Sequence, residues 1–287
     1  MSESTIVAVV TGASRGVGRG IAIALGSHGA TVYVVGRTLS DDTPRGAGEA
    51  LLPGTIHDAA AAVTAAGGCG VAVACDMADD AQIVELFKRV ERESGRLDIL
   101  VNNAAFVHND MIGSNPFWEK SLAVGNILDV GLRCHYTASH QAAPIMVRQK
   151  SGLIVNISFY GAVTRFHDPA YGASKAGLDK MAFDMADELR PYNVAAISLW
   201  PGIVCTERVE QLAEQMAEVK EQMGTFESPQ FSGRVINALY HDPDLMSLSG
   251  KTLIGAELAR QYGIQDIDGK QPGSLRTSMG SPHPAFS

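Results

Sequence analysis

Uninterrupted apolar stretches are short in this 287-residue sequence, and none approaches the roughly 18 residues that a membrane-crossing helix needs. No membrane span is therefore expected. Residues 1–5 show neither the basic start nor the apolar segment and cleavage site of a secretory signal, which points to a cytoplasmic protein. Positive charge is also scarce: 23 Lys and Arg against 31 Asp and Glu leave a net charge of −8. That balance argues against a general affinity for nucleic acid or anionic membrane, which needs clustered cations. Cysteines are few, and Cys69, Cys75, Cys134 and Cys205 form no C-x-x-C pair. They read as buried free thiols in a reducing compartment, neither a disulfide frame nor a metal site. His135, His140 and His167 have no partner at metal-ligand spacing, so they read as surface or hydrogen-bonded histidines and no metal is expected.

What remains is an ordinary globular composition, 46% apolar and 19% charged, with a clear rhythm. Short, nearly continuous apolar runs fall at 6–10, 31–35, 70–74, 97–101, 153–157, 194–199 and 251–254. Such runs suit strands covered on both faces of a parallel sheet. Helical periods lie between them. Ile83, Phe87 and Val90 follow a candidate cap at Asp79, and Leu178, Met181, Met185 and Leu189 repeat the pattern further on. The alternation predicts a single-domain α/β fold over 1–287: a Rossmann-type, doubly wound parallel sheet of about seven strands with helices on both faces. Residues 40–55, rich in Gly, Pro and Asp, read as a surface insertion, and 272–287 as an irregular tail. The connection 102–151 must hold a long helix ending beyond Pro144.

The first strand runs into Thr11-Gly12-Ala13-Ser14-Arg15-Gly16-Val17-Gly18, and a helical run follows from Ile21. Glycines between a strand and a helix start allow a tight turn and let a pyrophosphate approach the helix N-terminus. The second strand ends Gly36-Arg37-Thr38, where an NAD site would carry a carboxylate for the ribose 2′-hydroxyl. Arg37 and Arg15 could instead fork a 2′-phosphate, which favours NADP(H). Asp41 and Asp42 sit in the insertion, which can carry them away from the ribose. Downstream, Tyr171 and Lys175 are four apart at the start of a helix and share one face. Ser158 lies 13 residues before Tyr171, at the end of the fifth strand. Strand end and helix start both belong to the carboxyl edge, where open α/β sheets bind ligands.

Together, TGASRGVG, Cys75-Asp76, NNAA at 102–105, Ser158, YGASK and PGIVCTE at 201–207 resemble the short-chain dehydrogenase/reductase family over nearly the whole chain. The stretches LWPGIV, SLSGK, ELARQYG and DIDG resemble its dehydrogenase/reductase member-one-like subgroup. The resemblance implies an oxidoreductase acting on CH–OH or C=O groups with NADP(H). It implies catalysis by Ser158, Tyr171 and Lys175, with Tyr171 exchanging a proton with the substrate oxygen, Lys175 lowering its pKa and holding the ribose, and Ser158 hydrogen-bonding that oxygen. Cofactor contacts are implied for Gly12, Ser14, Arg15, Gly16, Val17, Gly18, Arg37, Thr38, Asp76, Met77, Asn102, Ala104, Tyr171, Lys175, Pro201, Gly202, Ile203 and Thr206. Asp76 and Asn102 would lie by the adenosine, Pro201 to Ile203 and Thr206 by the nicotinamide carboxamide, while Asn103 ties down the fourth strand.

One departure stands out. Where many members carry a catalytic Asn that helps hold a water linked to the Lys, this chain has Gly131, and Asn126 is about 140° round a helix from it. Glycine keeps its carbonyl, so the relay could run through backbone and water; the alternative is a catalytically impaired, NADP-binding regulatory protein. Leu212, Met216, Val219 and Met223 form a helical stripe that either covers the substrate or packs on the body. Aromatics after the carboxyl ends of the strands (Phe106, Phe117, Trp118, Phe159, Tyr160, Phe166 and Trp200) suggest an apolar carbonyl or alcohol substrate. By family analogy a homodimer or homotetramer is expected, through apolar residues such as Ile145, Met146, Met181 and Phe183.

Overall fold

The computed structural model describes residues 5–40 and 48–287. Its strands are β1 (Val7–Thr11), β2 (Thr31–Gly36), β3 (Cys69–Ala74), β4 (Ile99–Asn102), β5 (Gly152–Ile157), β6 (Val194–Trp200) and β7 (Thr252–Ile254). All pair in parallel, in the order β3-β2-β1-β4-β5-β6-β7. The helices are α1 (Gly16–Gly26), α2 (Ile56–Ala65), α3 (Asp80–Ser94), α4 (Asn109–Ile112), α5 (Cys134–Gln149), α6 (Pro169–Leu189), α7 (Glu207–Gln215), α8 (Ala217–Gln222), α9 (Phe231–Tyr240), α10 (Leu245–Leu248), α11 (Gly255–Tyr262) and α12 (Arg276–Met279). The strand order reverses between β1 and β4, so the crevice of a doubly wound sheet opens above the carboxyl ends of those two strands.

Continuous apolar strands fit a sheet covered on both sides. On one face Ile21 and Leu25 of α1, Val63 of α2 and Phe231 and Val235 of α9 pack against Val10, Val34 and Val155. On the other, Ile83, Phe87 and Val90 of α3 and Cys134, Ala138 and Ala142 of α5 pack against Val9, Tyr33 and Leu100. The expected cap at Asp79 is where the sequence puts it, and Asp168 adds a second that the sequence reading did not name. Asp79 Oδ1 accepts from the Ala81 and Gln82 N–H groups at 2.9 and 3.3 Å, and Asp168 caps α6 ahead of Pro169. No described helix is long and apolar enough to cross a membrane.

Several expectations need correction. The 212–223 stripe is not one helix: Met216 is extended (φ −129°, ψ 111°) and separates α7 from α8. Ile145 and Met146 look like contact residues on a helix surface, but both are buried against the sheet; Phe183 stays exposed, beside the Phe286 ring at 5.1 Å. Buried thiols are found at Cys75 and Cys134, whereas Cys69 is exposed on the edge strand. The C-terminal segment is not wholly irregular: it includes α12 and a turn at Pro284–Phe286, and the Leu275 N–H donates to the buried Tyr160 hydroxyl at 3.1 Å. Of the 40–55 insertion, residues 41–47 lie outside the described residues, and with them Asp41 and Asp42.

Candidate active site

The glycine turn after β1 is shaped by two left-handed residues, Gly12 (φ 65°) and Gly16 (φ 55°). A Cβ on Gly12 would come within 2.7 Å of the Ala104 Cα, so the close approach of the first and fourth strand ends requires glycine there. Asn103 holds this contact: its amide donates to the Thr11 and Gly12 carbonyls at 2.9 and 3.2 Å, and Thr11 Oγ1 accepts from its N–H. A cleft of about 350 Å³ results, lined among others by Ser14, Arg15, Val17, Arg37, Asp76, Met77, Ala104 and Thr206. The Gly16 N–H is bound by a carboxylate oxygen of Glu207 at 2.9 Å. The turn thus already holds an anionic oxygen, as a pyrophosphate-binding helix start should.

Asn102 is not among the lining groups. Its side chain is buried and donates to Asn156 Oδ1 and Ser139 Oγ at 3.0 and 2.9 Å, because strand alternation turns it towards α5. The two arginines do not converge on one point either. Arg15 braces the insertion by donating to the Pro53 and Gly54 carbonyls and the Thr38 hydroxyl. Arg37 grips Glu49, with 2.6 Å to Oε1. Sequence reasoning missed Glu49, since nothing in a Gly- and Pro-rich insertion says where it folds back.

In the turn after β6, Pro201 and Gly202 are buried, and the turn is fixed by a residue the sequence did not single out. Glu227 Oε1 accepts from the Gly202 N–H at 2.9 Å, and a Cβ on Gly202 would lie 2.7 Å from that oxygen. Glu227 also pairs through its backbone, donating to the Ile203 carbonyl and accepting from Cys205. Burial, aided by the charge of Asp266, raises its carboxyl to about 8 against the opposing pull of the Gly202 hydrogen bond. Its Oε2 has no partner among the described residues.

Tyr171 and Lys175 share a face in the first turns of α6, with the ammonium 5.6 Å from the phenol centroid. Lys175 is buried, donates to the Ile157 carbonyl at 3.0 Å, and is pushed down to about 8 by desolvation, partly offset by Asp179. Burial raises the Tyr171 phenol well above its ordinary value. Beneath them Asp179 accepts from Ser198 Oγ at 2.6 Å and from the Trp200 indole at 3.0 Å.

Ser158 departs from its expected role. Its hydroxyl is buried and donates to the Lys175 backbone carbonyl at 3.0 Å, with Asp179 as a further partner, so it is directed into the body of α6. Side chains alternate along a strand, and Ser158 shares the side of Asn156, whose amide bonds to the Leu178 carbonyl in the same helix. The next residue, Phe159, stacks into a cluster with Tyr160 and Phe166. Spacing along the chain put Ser158 at the end of β5 but could not tell to which side its hydroxyl turns.

Gly131 sits in a distorted turn at Asp129–Arg133 with φ 150°, and its carbonyl accepts from the Ser174 hydroxyl at 2.9 Å. Four residues on, His135 is fully buried and bonded to the Ala104 carbonyl at 2.9 Å; desolvation, with Lys175 nearby, lowers it to about 3. Of the aromatics, Trp200 and Tyr160 belong to the core, while Phe117 and Trp118 are exposed. These two line a second cavity of about 480 Å³ with Lys120, Arg165, Phe166 and His167, beside Gly172.

A family model for the short chain dehydrogenase matches residues 6–217. The human and mouse proteins named dehydrogenase/reductase SDR family member 1 are 42% and 41% identical over 276 residues, covering 92% of this chain and 84% of each relative. A short chain dehydrogenase from Mycobacterium thermoresistibile has the same fold, with a TM-score of 0.76 over 98% of both chains at 24% identity. Sheet order, glycine turn and the Tyr171–Lys175 pair agree with these similarities: the chain belongs to the short-chain dehydrogenase family and is a nicotinamide-dependent oxidoreductase.

Proposed function

We propose that the protein reduces an apolar aldehyde or ketone with NADPH, and runs the reverse oxidation with NADP. The observation that carries this reading is the pairing of Tyr171 with Lys175 in the first turns of α6, on the same carboxyl edge of the sheet as the cleft lined by the glycine turn and Arg37. The bound nicotinamide would supply the hydride. Gly16 and Val17 would take the pyrophosphate on backbone N–H groups, Arg37 the 2′-phosphate, Asp76 and Met77 the adenine, and Thr206 with the Gly202 turn the carboxamide. Tyr171 Oη donates its proton to the substrate oxygen as the carbonyl is reduced, and takes it back in oxidation. A phenol with a raised pKa stays protonated at neutral pH and suits the reductive direction. The Lys175 ammonium stabilises the phenolate left behind, which recovers its proton from solvent.

Oxidation of NADPH and of NADH over a panel of aldehydes and ketones tests this reading. Turnover of NADPH with apolar carbonyls supports it; no consumption of either cofactor with any carbonyl overturns it. Two observations favour a second reading, an NADP-binding regulatory protein with weak catalysis: the inward Ser158 hydroxyl and Gly131 at the usual Asn position. Tight NADPH binding without turnover would select it. A homodimer or homotetramer in a cytoplasmic setting belongs to the same proposal and rests on family analogy; light scattering at micromolar concentration checks the assembly.

A further inference from the structure

With Ser158 turned into α6, the substrate oxygen has Tyr171 as one hydrogen-bond donor and needs another. The neighbourhood of the phenol is largely apolar: Met111, Val124 and Ile127 on one side, Phe159 and Phe166 on the other. One polar ring interrupts it. His167 packs edge-on to Tyr171, with ring centroids 5.3 Å apart and an interplanar angle of 79°, and lies 4.1 Å from the Phe166 ring. It lines the 480 Å³ cavity that runs past Gly172, the neighbour of Tyr171. Among the described residues, no hydrogen-bond partner is found for its ring nitrogens or for the Tyr171 hydroxyl.

The backbone at His167 is unusual as well. Its φ is 57°, in the left-handed region that an ordinary side chain adopts rarely. The next residue is anchored: Asp168 caps α6 and makes a Lys120–Asp168 contact of 3.5 Å between two buried side chains. The backbone conformation at His167 turns the imidazole back over the phenol instead of out along the loop. His167 is exposed on the cavity side; partial desolvation and the charges of Lys120 and Arg208 lower its pKa from the ordinary value near 6.5, so at neutral pH it is an uncharged imidazole with one N–H. A neutral imidazole can polarise a carbonyl by donation without competing with Tyr171 as the proton source.

We propose that His167 is a catalytic residue of this chain, donating an N–H hydrogen bond to the substrate oxygen that Tyr171 protonates and so filling the role that Ser158 does not. Two donors on one oxygen stabilise the charge that develops as hydride adds to carbon. The proposal rests on the carbonyl-reductase reading. It also predicts the shape of the site: the substrate enters past Phe117 and Trp118, with its oxygen within reach of both the Tyr171 hydroxyl and a His167 ring nitrogen.

The test uses two substitutions that both accept a positive φ. His167→Gly keeps the backbone and removes the donor, while His167→Asn keeps the backbone and offers an amide N–H. Removing one such donor typically costs about 10²–10³ in turnover, so His167→Gly should lower kcat at least about tenfold. NADPH affinity and melting temperature should match the parent, and His167→Asn should recover most of the loss. A second readout is independent of turnover. The imidazole 15N resonances, assigned by their absence in His167→Asn, should shift when benzamide, a carbonyl compound that hydride does not reduce, is added to the NADP-saturated protein. A His167→Gly protein with parental kcat, or unchanged 15N shifts at saturating benzamide, overturns this proposal while leaving carbonyl reduction standing. A parent protein that reduces no carbonyl overturns both.

Discussion

The Ser158 hydroxyl donates to the backbone carbonyl of Lys175 at 3.0 Å, tying the end of β5 to the helix that carries Tyr171 and Lys175. The bond makes Ser158 a structural residue. Ser158→Ala should therefore lose about 1 kcal/mol of stability, the ordinary worth of a buried neutral hydrogen bond. Turnover should change by no more than a few-fold. Urea unfolding and steady-state kinetics on one preparation check both; a hundredfold loss of turnover in a stably folded variant would return Ser158 to the reaction centre.

Arg37 and Glu49 set the second prediction. Glu49 is a nearly buried carboxylate on the guanidinium expected to receive the 2′-phosphate, so the two anions compete for one site. Glu49→Gln should tighten NADPH binding about tenfold, or 1.4 kcal/mol, and leave NADH nearly unchanged. Arg37→Ala should weaken NADPH roughly 10- to 150-fold, the range for a lost charged hydrogen bond. Equal dissociation constants for NADPH and NADH in the parent protein would refute the assignment.

Legible in the sequence were the features that local chemistry decides alone. Seven apolar runs became seven strands because a parallel sheet buries both faces, so each strand announces itself without help from its neighbours. Asp79 and the Gly12–Gly18 turn were readable because caps and tight turns act within a few residues. The misreadings share a different cause. Ser158 and Asn102 lie at strand ends, where one step in register decides between cleft and core. Ile145 and Met146 look exposed on a helix considered alone and are buried only once it docks on the sheet. Glu227 and His167 take their importance from partners 25 and 4 residues away, through a Gly202 N–H and a ring contact that no periodicity encodes.

Tyr171→Phe is the third test. Removing the phenolic proton should lower turnover at least about a hundredfold, the low end for a positioned general acid. The ring stays among Phe166 and His167, so stability and NADPH affinity should hardly move. Fluorescence titration with NADPH, beside the kinetics, separates lost chemistry from lost binding. Near-normal turnover would remove Tyr171 from the mechanism.

Glu227 predicts a pH dependence of stability. Folding raises its carboxyl from an ordinary value near 4.5 to about 8, so between these limits the folded protein binds a proton that the unfolded chain has released. Stability from this group is full below about pH 4.5 and falls as pH rises towards 8. Glu227→Gln cannot ionise and keeps an oxygen for the Gly202 N–H. Its melting temperature should exceed the parent's at pH 8 and converge with it at pH 5. Parallel curves for the two proteins over that range would contradict the buried, protonated state.

The last prediction concerns the substrate. Phe117 and Trp118 meet edge to face at 5.3 Å and 85°, yet Trp118 is 71% exposed. A large aromatic pair left in water at the rim of a cavity next to Gly172 and His167 is surface waiting to be covered. An apolar substrate would cover it, and each methylene it buries contributes roughly 0.8 kcal/mol, or about fourfold in kcat/KM. Catalytic efficiency over straight-chain aldehydes should climb by about that factor per carbon until the cavity is filled, and aromatic aldehydes should outrank short aliphatic ones. Trp118→Ala should flatten the climb while leaving the shortest aldehydes nearly unaffected, because they do not reach the rim. Arg165 and Lys120 line the same cavity, which makes the opposite outcome concrete. Lys120 is already matched with Asp168 at 3.5 Å, so Arg165 is the cation to watch. If aldehydes bearing a carboxylate outpace their neutral counterparts and Arg165→Ala abolishes the advantage, charge and not apolar area selects the substrate. A rising series insensitive to Arg165→Ala assigns selection to the aromatic pair.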